Sequence, residues 1–183
     1  QRAAAASSWM ELTEAGTGMG TTGGDGTGDW SIASSELSEG AHTLTATATD
    51  AAGNTGDASA ALTVTIDTSA PAAPSVPDLD AASDSNITDD DITSDTTPTV
   101  PGSAAANSSI ELFEGATSLG TTGADGSGDW SITSSELSEG AHSLTATATD
   151  AAGNTGDASA ALTVTIDVTD PTVTVDPQIT SDN

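Results

Sequence analysis

The sequence predicts an all-β protein built as tandem β-sandwich repeats with a period of about 100 residues. Three observations predict it. Gly26–Asp67 and Gly126–Asp167 differ only at Thr27/Ser127, Ala33/Thr133 and Thr43/Ser143. Near-identical copies at a fixed offset mean tandem units. Within each copy, apolar and polar residues alternate with a period of two, the mark of a half-buried antiparallel strand. No stretch of useful length has helical spacing of apolar residues without Gly, Pro or a Thr run.

The second copy shows the elements in order. Pro98–Ser103 reads as its opening strand. Ser108–Phe113 and Thr117–Thr121 read as a hairpin: Ile110 and Leu112 point inward, Glu114-Gly115 turns the chain, and Leu119 returns. The Gly/Asp-rich "ADGSGDW" leads into a strand at Asp129–Ile132. Glu136–Leu137 reads as a short strand. In His142–Thr149, Leu144, Ala146 and Ala148 share one face, with Ser143, Thr145, Thr147 and Thr149 on the other. In Ala160–Asp167, Leu162, Val164 and Ile166 alternate with Thr163 and Thr165. Seven short strands in about 100 residues predict immunoglobulin-like sandwiches. The expected core is Ile110, Leu112, Leu119, Trp130, Ile132, Leu137, Leu144, Leu162, Val164 and Ile166.

Upstream the copies diverge but keep register, with "ASSWMEL" at 6–12 facing "ANSSIEL" at 106–112. The segment "SDTTPTV" has no counterpart before the first copy. The expected division is therefore 1–67, a repeat lacking its first strand; 68–95, an acidic linker; 96–167, a complete repeat; and 168–183, a linker or donor strand toward a further repeat. The ends are out of phase with the repeat, so the chain is expected to be a segment of a longer protein.

The composition narrows the partners. There are 28 acidic residues against one base, Arg2, for a net charge of -27. This balance excludes nucleic acid and anionic membrane surfaces, which need Lys/Arg contacts. It favours cations as partners, because self-repulsion of this size destabilises a compact state until something screens it. Cysteine is absent, so no disulfide framework exists. No stretch approaches about 18 consecutive apolar residues, so no transmembrane helix or membrane insertion is expected.

"TTPTVPGSAAANSSIELFEGATSLGTTGADGSGDWSI", "LSEGAHSLTATATDAAGNTG" and "ALTVTID" together resemble the bacterial Ig-like repeats of giant secreted adhesins, the extender arrays of RTX-type and biofilm-associated adhesins. The resemblance spans essentially the whole chain. It implies a calcium-rigidified rod on the surface of a Gram-negative bacterium, with neighbouring repeats of the same protein as partners. It implies no distal ligand.

The densest charge lies in "DLDAASDSNITDDDITSD", Asp78–Asp95. Calcium takes six to eight oxygens, largely from Asp, Glu and backbone carbonyls. The expected cofactor is Ca2+, held by Asp67, Asp78, Asp80, Asp84, Asn86, Asp89, Asp90 and Asp91 together with Glu114 and Asp150. This set assumes that the turn at Glu114 and the loop at Asp150 lie at the pole where the acidic segment arrives. A cation there would turn a flexible joint into a stiff one.

Other constellations are weaker. "GGDGTGD" at 23–29 occurs once, whereas a calcium β-roll needs stacked turns. His42 and His142 are explained by duplication, and no nucleophile–base–acid arrangement accompanies them, so no enzyme is expected. The outward Thr rows are ordinary solvated strand faces. Trp9 falls on the outward phase of its strand and is an interface candidate, as are Val173 and Val175. The expected function is a structural extender stiffened by calcium at its joints. The alternatives are an adhesive module that recognises a glycan or protein, and a subunit of a head-to-tail filament. In the filament, "PTVTVDPQIT" of one copy would complete the first repeat of another.

Overall fold

A computed structural model describes residues 8–24 and 29–174. The chain divides into two units, Gln1–Thr68 and Ser69–Asn183. Among the described residues every regular element is a strand.

The first unit contains β1 (Trp9–Glu14), β2 (Thr17–Gly23), β3 (Gly40–Thr49) and β4 (Leu62–Ile66). They form one antiparallel sheet in the order β2-β1-β3-β4. The β1–β2 turn places Ala15 at φ 48° and Gly16 at φ 82°. Positive φ at both central residues is the turn whose twist matches a two-residue hairpin.

The second unit contains β5 (Ile92–Thr93), β6 (Thr99–Ser103), β7 (Ser109–Glu114), β8 (Thr117–Gly123), β9 (Asp129–Thr133), β10 (Gly140–Thr149) and β11 (Leu162–Ile166). One sheet runs β5-β11-β10-β7-β8 and the other pairs β6 with β9. β10 carries Leu144, Ala146 and Ala148 fully buried, and β11 buries Leu162, Val164 and Ile166. All ten expected core residues are buried, joined by Leu79, Val100, Ala124, Ala146 and Ala148 in one cluster. Burying each large side chain contributes roughly 1.5–3 kcal/mol.

Three expectations need correction. Pro98–Ser103 is not the first strand. The two-residue β5 precedes it and pairs in parallel with β11, Thr165 opposite Ile92 and Ile166 opposite Thr93. Glu136–Leu137 is not a strand but a crossing. Leu137 N donates to Thr96 O at 2.7 Å while Ser135 N donates to Leu119 O at 2.8 Å, so successive residues bond to different sides. Leu137 is still buried. Finally, 68–95 is not a free linker. Ser75, Asp78 and Asp80 donate their N–H groups to the carbonyls of Ser103, Pro101 and Thr99 at 2.8, 3.1 and 2.9 Å. The segment runs antiparallel along β6, and Leu79 enters the core.

The two copies provide an internal comparison. Asp129–Thr133 is a strand because β6 pairs with it, whereas 29–33 belongs to no sheet among the described residues. The exposures differ accordingly: Trp30 is 44% exposed against 5% for Trp130, and Leu62 is 60% exposed against 7% for Leu162.

Candidate functional site: the acidic segment of the second unit

The acidic segment is folded rather than solvated. Asp80 O accepts from Ser83 N and Asp84 N at 2.8 and 2.9 Å, and its Oδ1 accepts from Ala82 N at 2.9 Å. Short Asp side chains favour such local turns. Ser83 Oγ donates to Asp95 Oδ2 at 3.1 Å and accepts from Thr99 N at 3.0 Å. The buried Thr93 hydroxyl donates to Ser83 O. Beyond the turn, Asp91 O and Thr93 O accept from Thr165 N and Asp167 N, both at 2.8 Å, which fastens the segment to β11. Asn86, Asp89 and Asp91 adopt positive φ, at 72°, 71° and 57°. Among non-glycine residues, Asn and Asp tolerate this region best.

Asp84 is the centre of the site. It is 7% exposed. Its Oδ2 accepts from Asp89 N at 2.6 Å, while its buried Oδ1 has no hydrogen-bond partner. An unpaired buried carboxylate oxygen is costly, because nothing replaces the water it has lost. Burial pushes the Asp91 carboxyl above the ordinary range, and the charges of Asp78, Asp84, Asp90 and Asp89 push it in the same direction. These five carboxylates share one negative field. Asp80 and Asn86 shape its turns.

Two expected ligands lie elsewhere, and the register shows why. β10 runs antiparallel to β7 with Leu144 opposite Glu114 and Thr149 opposite Ser109. Asp150 therefore follows the far end of β10 from Gly140, which is paired with Ile166 beside β5. At about 3.3 Å per residue the two ends are roughly 30 Å apart. Glu114 ends β7, three strands across from β5 and so roughly 14 Å from it at about 4.8 Å per strand. The single pole assumed for these residues does not exist.

Each displaced residue has its own local role. Asp150 Oδ1 accepts from Ala152 N and Asn154 N, and Oδ2 accepts from Asn154 Nδ2, all at 2.9 Å. The Asn154 side chain leads the bonds that hold this carboxyl below its usual range. Asp50 repeats the arrangement in the first unit. Glu114 Oε1 stands 2.7 Å from His142 Nδ1, and Ser138 O accepts from Nε2 at 2.9 Å. Glu14, His42 and Ser38 form the same clamp. Both imidazoles are spoken for, and the duplication carries a structural unit. Asp67 closes β4 in the first unit. Sequence reasoning missed Ser83 and Thr93, the hydroxyls that hold the segment closed. Only their neighbourhood of Asp residues signals them.

Among interface candidates, Trp9 is 63% exposed and Val173 is 86% exposed. Val175 lies outside the described residues. No helix among the described residues is long and apolar enough to cross a membrane.

Comparison with known proteins places these features in context. The chain is similar to the BSP domain of a biofilm associated protein, at 23% identity and a TM-score of 0.40 over 91% of this chain and 26% of that one. It is similar to a structure from a 1.5-MDa bacterial ice-binding adhesin, at 28% identity and a TM-score of 0.42 over 91% and 54%. It is also similar to the fibronectin(III)-like modules of Clostridium thermocellum CbhA, at 15% identity and a TM-score of 0.49 over 91% and 80%. The chain thus spans about a quarter of the first of these structures and about half of the second. No curated protein matches it. The bacterial Ig-like domain family matches residues 2–68 and 70–168. With both units covered, the chain belongs to the bacterial Ig-like domain family.

Proposed function

We propose that these tandem domains are a spacer segment of a bacterial cell-surface adhesin, and that calcium locks the acidic segment onto the second domain. The observation that carries the metal reading is the buried, unpartnered Oδ1 of Asp84 among like charges. A divalent cation would satisfy that oxygen and reverse the sign of its surroundings. Asp84 and Asp91 would hold it, joined by Asp78, Asp89 and Asp90. Carboxylate oxygens are the donors calcium prefers. No three acidic or imidazole groups among the described residues are placed to hold one ion together, so binding requires carboxylates to turn inward. The ion would then fix the segment leading into the second domain, and a stiff entry segment suits a spacer. Because the acidic segment belongs to the second unit, calcium acts here by completing a domain. The reading is non-enzymatic, with other repeats of the same protein as neighbours and an extracellular location.

Calorimetric melting with calcium and with chelator tests this. A ligand bound only by the folded state at 100 times its Kd adds about 2.7 kcal/mol. For a unit of this size that is roughly 10–20 °C in Tm. Asp84→Asn removes the buried charge, so it raises Tm in chelator and loses the calcium increment. An identical wild-type Tm in both conditions would refute the metal reading.

A further inference from the structure

We propose that the outward face of the sheet in the first unit binds a linear polymer of amino sugars whose amines are free, with Trp9 as the stacking platform and Glu11 as the partner of an ammonium group. β1 supplies the face. Its outward positions are Trp9, Glu11 and Thr13, because Met10 between the first two is buried. β1 lies between β2 and β3. Trp9 stands opposite Gly23 and Thr49, Glu11 opposite Thr21 and Thr47, and Thr13 opposite Gly18 and Thr45. A Cβ at Gly23 would meet nothing within 4 Å. The indole therefore does not lie down on its neighbour in β2, and that neighbour adds no side chain beside it. The same face is open in the second unit as well. There the residues ahead of β7 lie in β6, on the other sheet, and Ser109, at the place of Trp9, is exposed.

The two copies differ at this face in three connected places. Trp9 stands where the second unit has Ser109, Gly18 where it has Ser118, and Thr13 where it has Phe113. At Gly18 a Cβ would come within 2.8 Å of Glu11 Oε1, so the glycine lets the carboxylate lie across β2. Thr13 puts a small side chain where Phe113 has a ring. Beside it is an open depression of about 460 Å3, bounded by Ala41, Thr43, Thr45 and the turn Glu14-Ala15-Gly16. Thr49, opposite Trp9, and Ala41, in the depression, both lie in β3. At about 3.3 Å per residue they are roughly 26 Å apart. Platform, carboxylate and depression thus lie in a row long enough for several pyranose rings.

The chemistry of the row selects the ligand. A pyranose presents an apolar C–H face that an indole can cover, and Trp is also the best side chain for holding a cation over its ring. Threonine hydroxyls both donate and accept, as sugar hydroxyls do. Thr13 and Thr45 share one hydrogen bond at 3.1 Å, and Thr49 and Thr55 share another at 2.8 Å, which leaves each hydroxyl capacity for a ligand. The charge selects the amine. With 28 acidic residues against one Arg and no Lys, the chain repels polymers of uronic or sialic acid and draws in ammonium groups. A basic peptide fits less well. β1 has a strand on each side, so this face offers no main-chain groups for a peptide strand to pair with. The site would give the spacer a grip of its own, and it does not involve calcium.

The test is titration of the full 183-residue chain with a glucosamine hexamer, read by calorimetry and by tryptophan emission. It is run in chelator, so failure of the calcium reading leaves the outcome untouched, and at about 0.15 M salt, where distant charges are screened. The expected result is saturable binding that shifts the emission. Trp9→Ser weakens it roughly tenfold, and Glu11→Gln and Thr13→Phe each weaken it a few-fold. Trp9→Ser and Thr13→Phe install residues that the second unit carries at the same places, so the fold accommodates them, and an unchanged Tm checks this. No binding, or binding unchanged by Trp9→Ser, would overturn the proposal; attraction of the polymer by net charge alone gives the second of these results. Equal binding of the N-acetylated hexamer, or a lysine hexapeptide whose binding depends on Trp9 in the same way, would overturn it too.

Discussion

Leu62 and Leu162 occupy the same place in identical sequence, yet one is 60% exposed and the other 7%. Truncating each to alanine measures what the covering strands contribute. Leu162 keeps 93% of its surface from water (100 − 7) and Leu62 keeps 40% (100 − 60). Leucine-to-alanine changes in rigid cores cost about 2–5 kcal/mol, part transfer and part cavity. Leu162, packed in a cluster with Leu79, Val100 and Trp130, should cost about 3 kcal/mol. Leu62 leaves no closed cavity and retains less than half the burial, so its cost should be about 1 kcal/mol or less. At roughly 4–8 °C per kcal/mol, Leu162→Ala lowers the melting of the second unit by about 12–24 °C, and Leu62→Ala shifts the first by a few degrees. Calorimetry supplies the Tm values. Hydrogen exchange read by mass spectrometry assigns each to its unit, because Thr43 and Ser143 give the otherwise matching peptides different masses. Equal losses at the two positions would refute the argument that the inner sheet makes the difference.

Two further outcomes follow. Gly102→Ala drives a methyl into the Trp130 ring and should cost about 1–3 kcal/mol as overpacking; urea titration checks it, and a neutral result would mean that Trp130 does not rest on β6. The histidine clamps predict a pH dependence. For His42 the Ser38 carbonyl, then Glu14, raises the pKa above 6.5; for His142 burial lowers it, but Ser138 and Glu114 together outweigh the burial. A raised folded value means that the stabilisation is complete below the unfolded pKa of about 6.5 and is lost as pH rises through the folded value. The Tm difference between the wild type and a His42→Gln/His142→Gln variant should therefore be largest in mild acid and shrink above it. A difference independent of pH would sink this assignment.

Much of the second sandwich is legible in the residues. Period-two alternation in Leu144-Thr145-Ala146-Thr147-Ala148 and in Leu162–Ile166 names the buried face directly, and Trp130 marks the inner sheet. β5 was hidden because two residues give no period and because its neighbours are aspartates, poor strand formers. That omission had a geometric cost. With β5 missed, the strands from Pro98–Ser103 to Asp129–Ile132 are assumed to run the wrong way, and the extra strand at Glu136–Leu137 restores the count for β10 and β11. The inversion carries Glu114 to the end of the sandwich where Asp150 lies, although β10 places Leu144 opposite Glu114 and Asp150 beyond Thr149. Asp78, Asp84, Asp89, Asp90 and Asp91 are close in sequence, and the charges of the first four act on Asp91. The burial of Asp84 could not be read, since it depends on Ser83, Thr93 and Thr99 closing a turn whose partners are distant in the chain. The contrast between Trp30 and Trp130 was equally invisible: identical sequence has different surroundings, and only the pairing of β6 decides between them.

The parallel pairing of β5 with β11 has a mechanical meaning. These are the first and last strands of the second domain, and both run the same way. Once Ser75–Asp80 has been drawn off β6, a pull on the two ends of the domain slides one strand along the other. The bonds from Thr165 N to Asp91 O and from Asp167 N to Thr93 O are then strained together in shear, whereas an antiparallel hairpin pulled from its open end would peel apart one bond at a time. The domain is thus braced against a pull along these two strands.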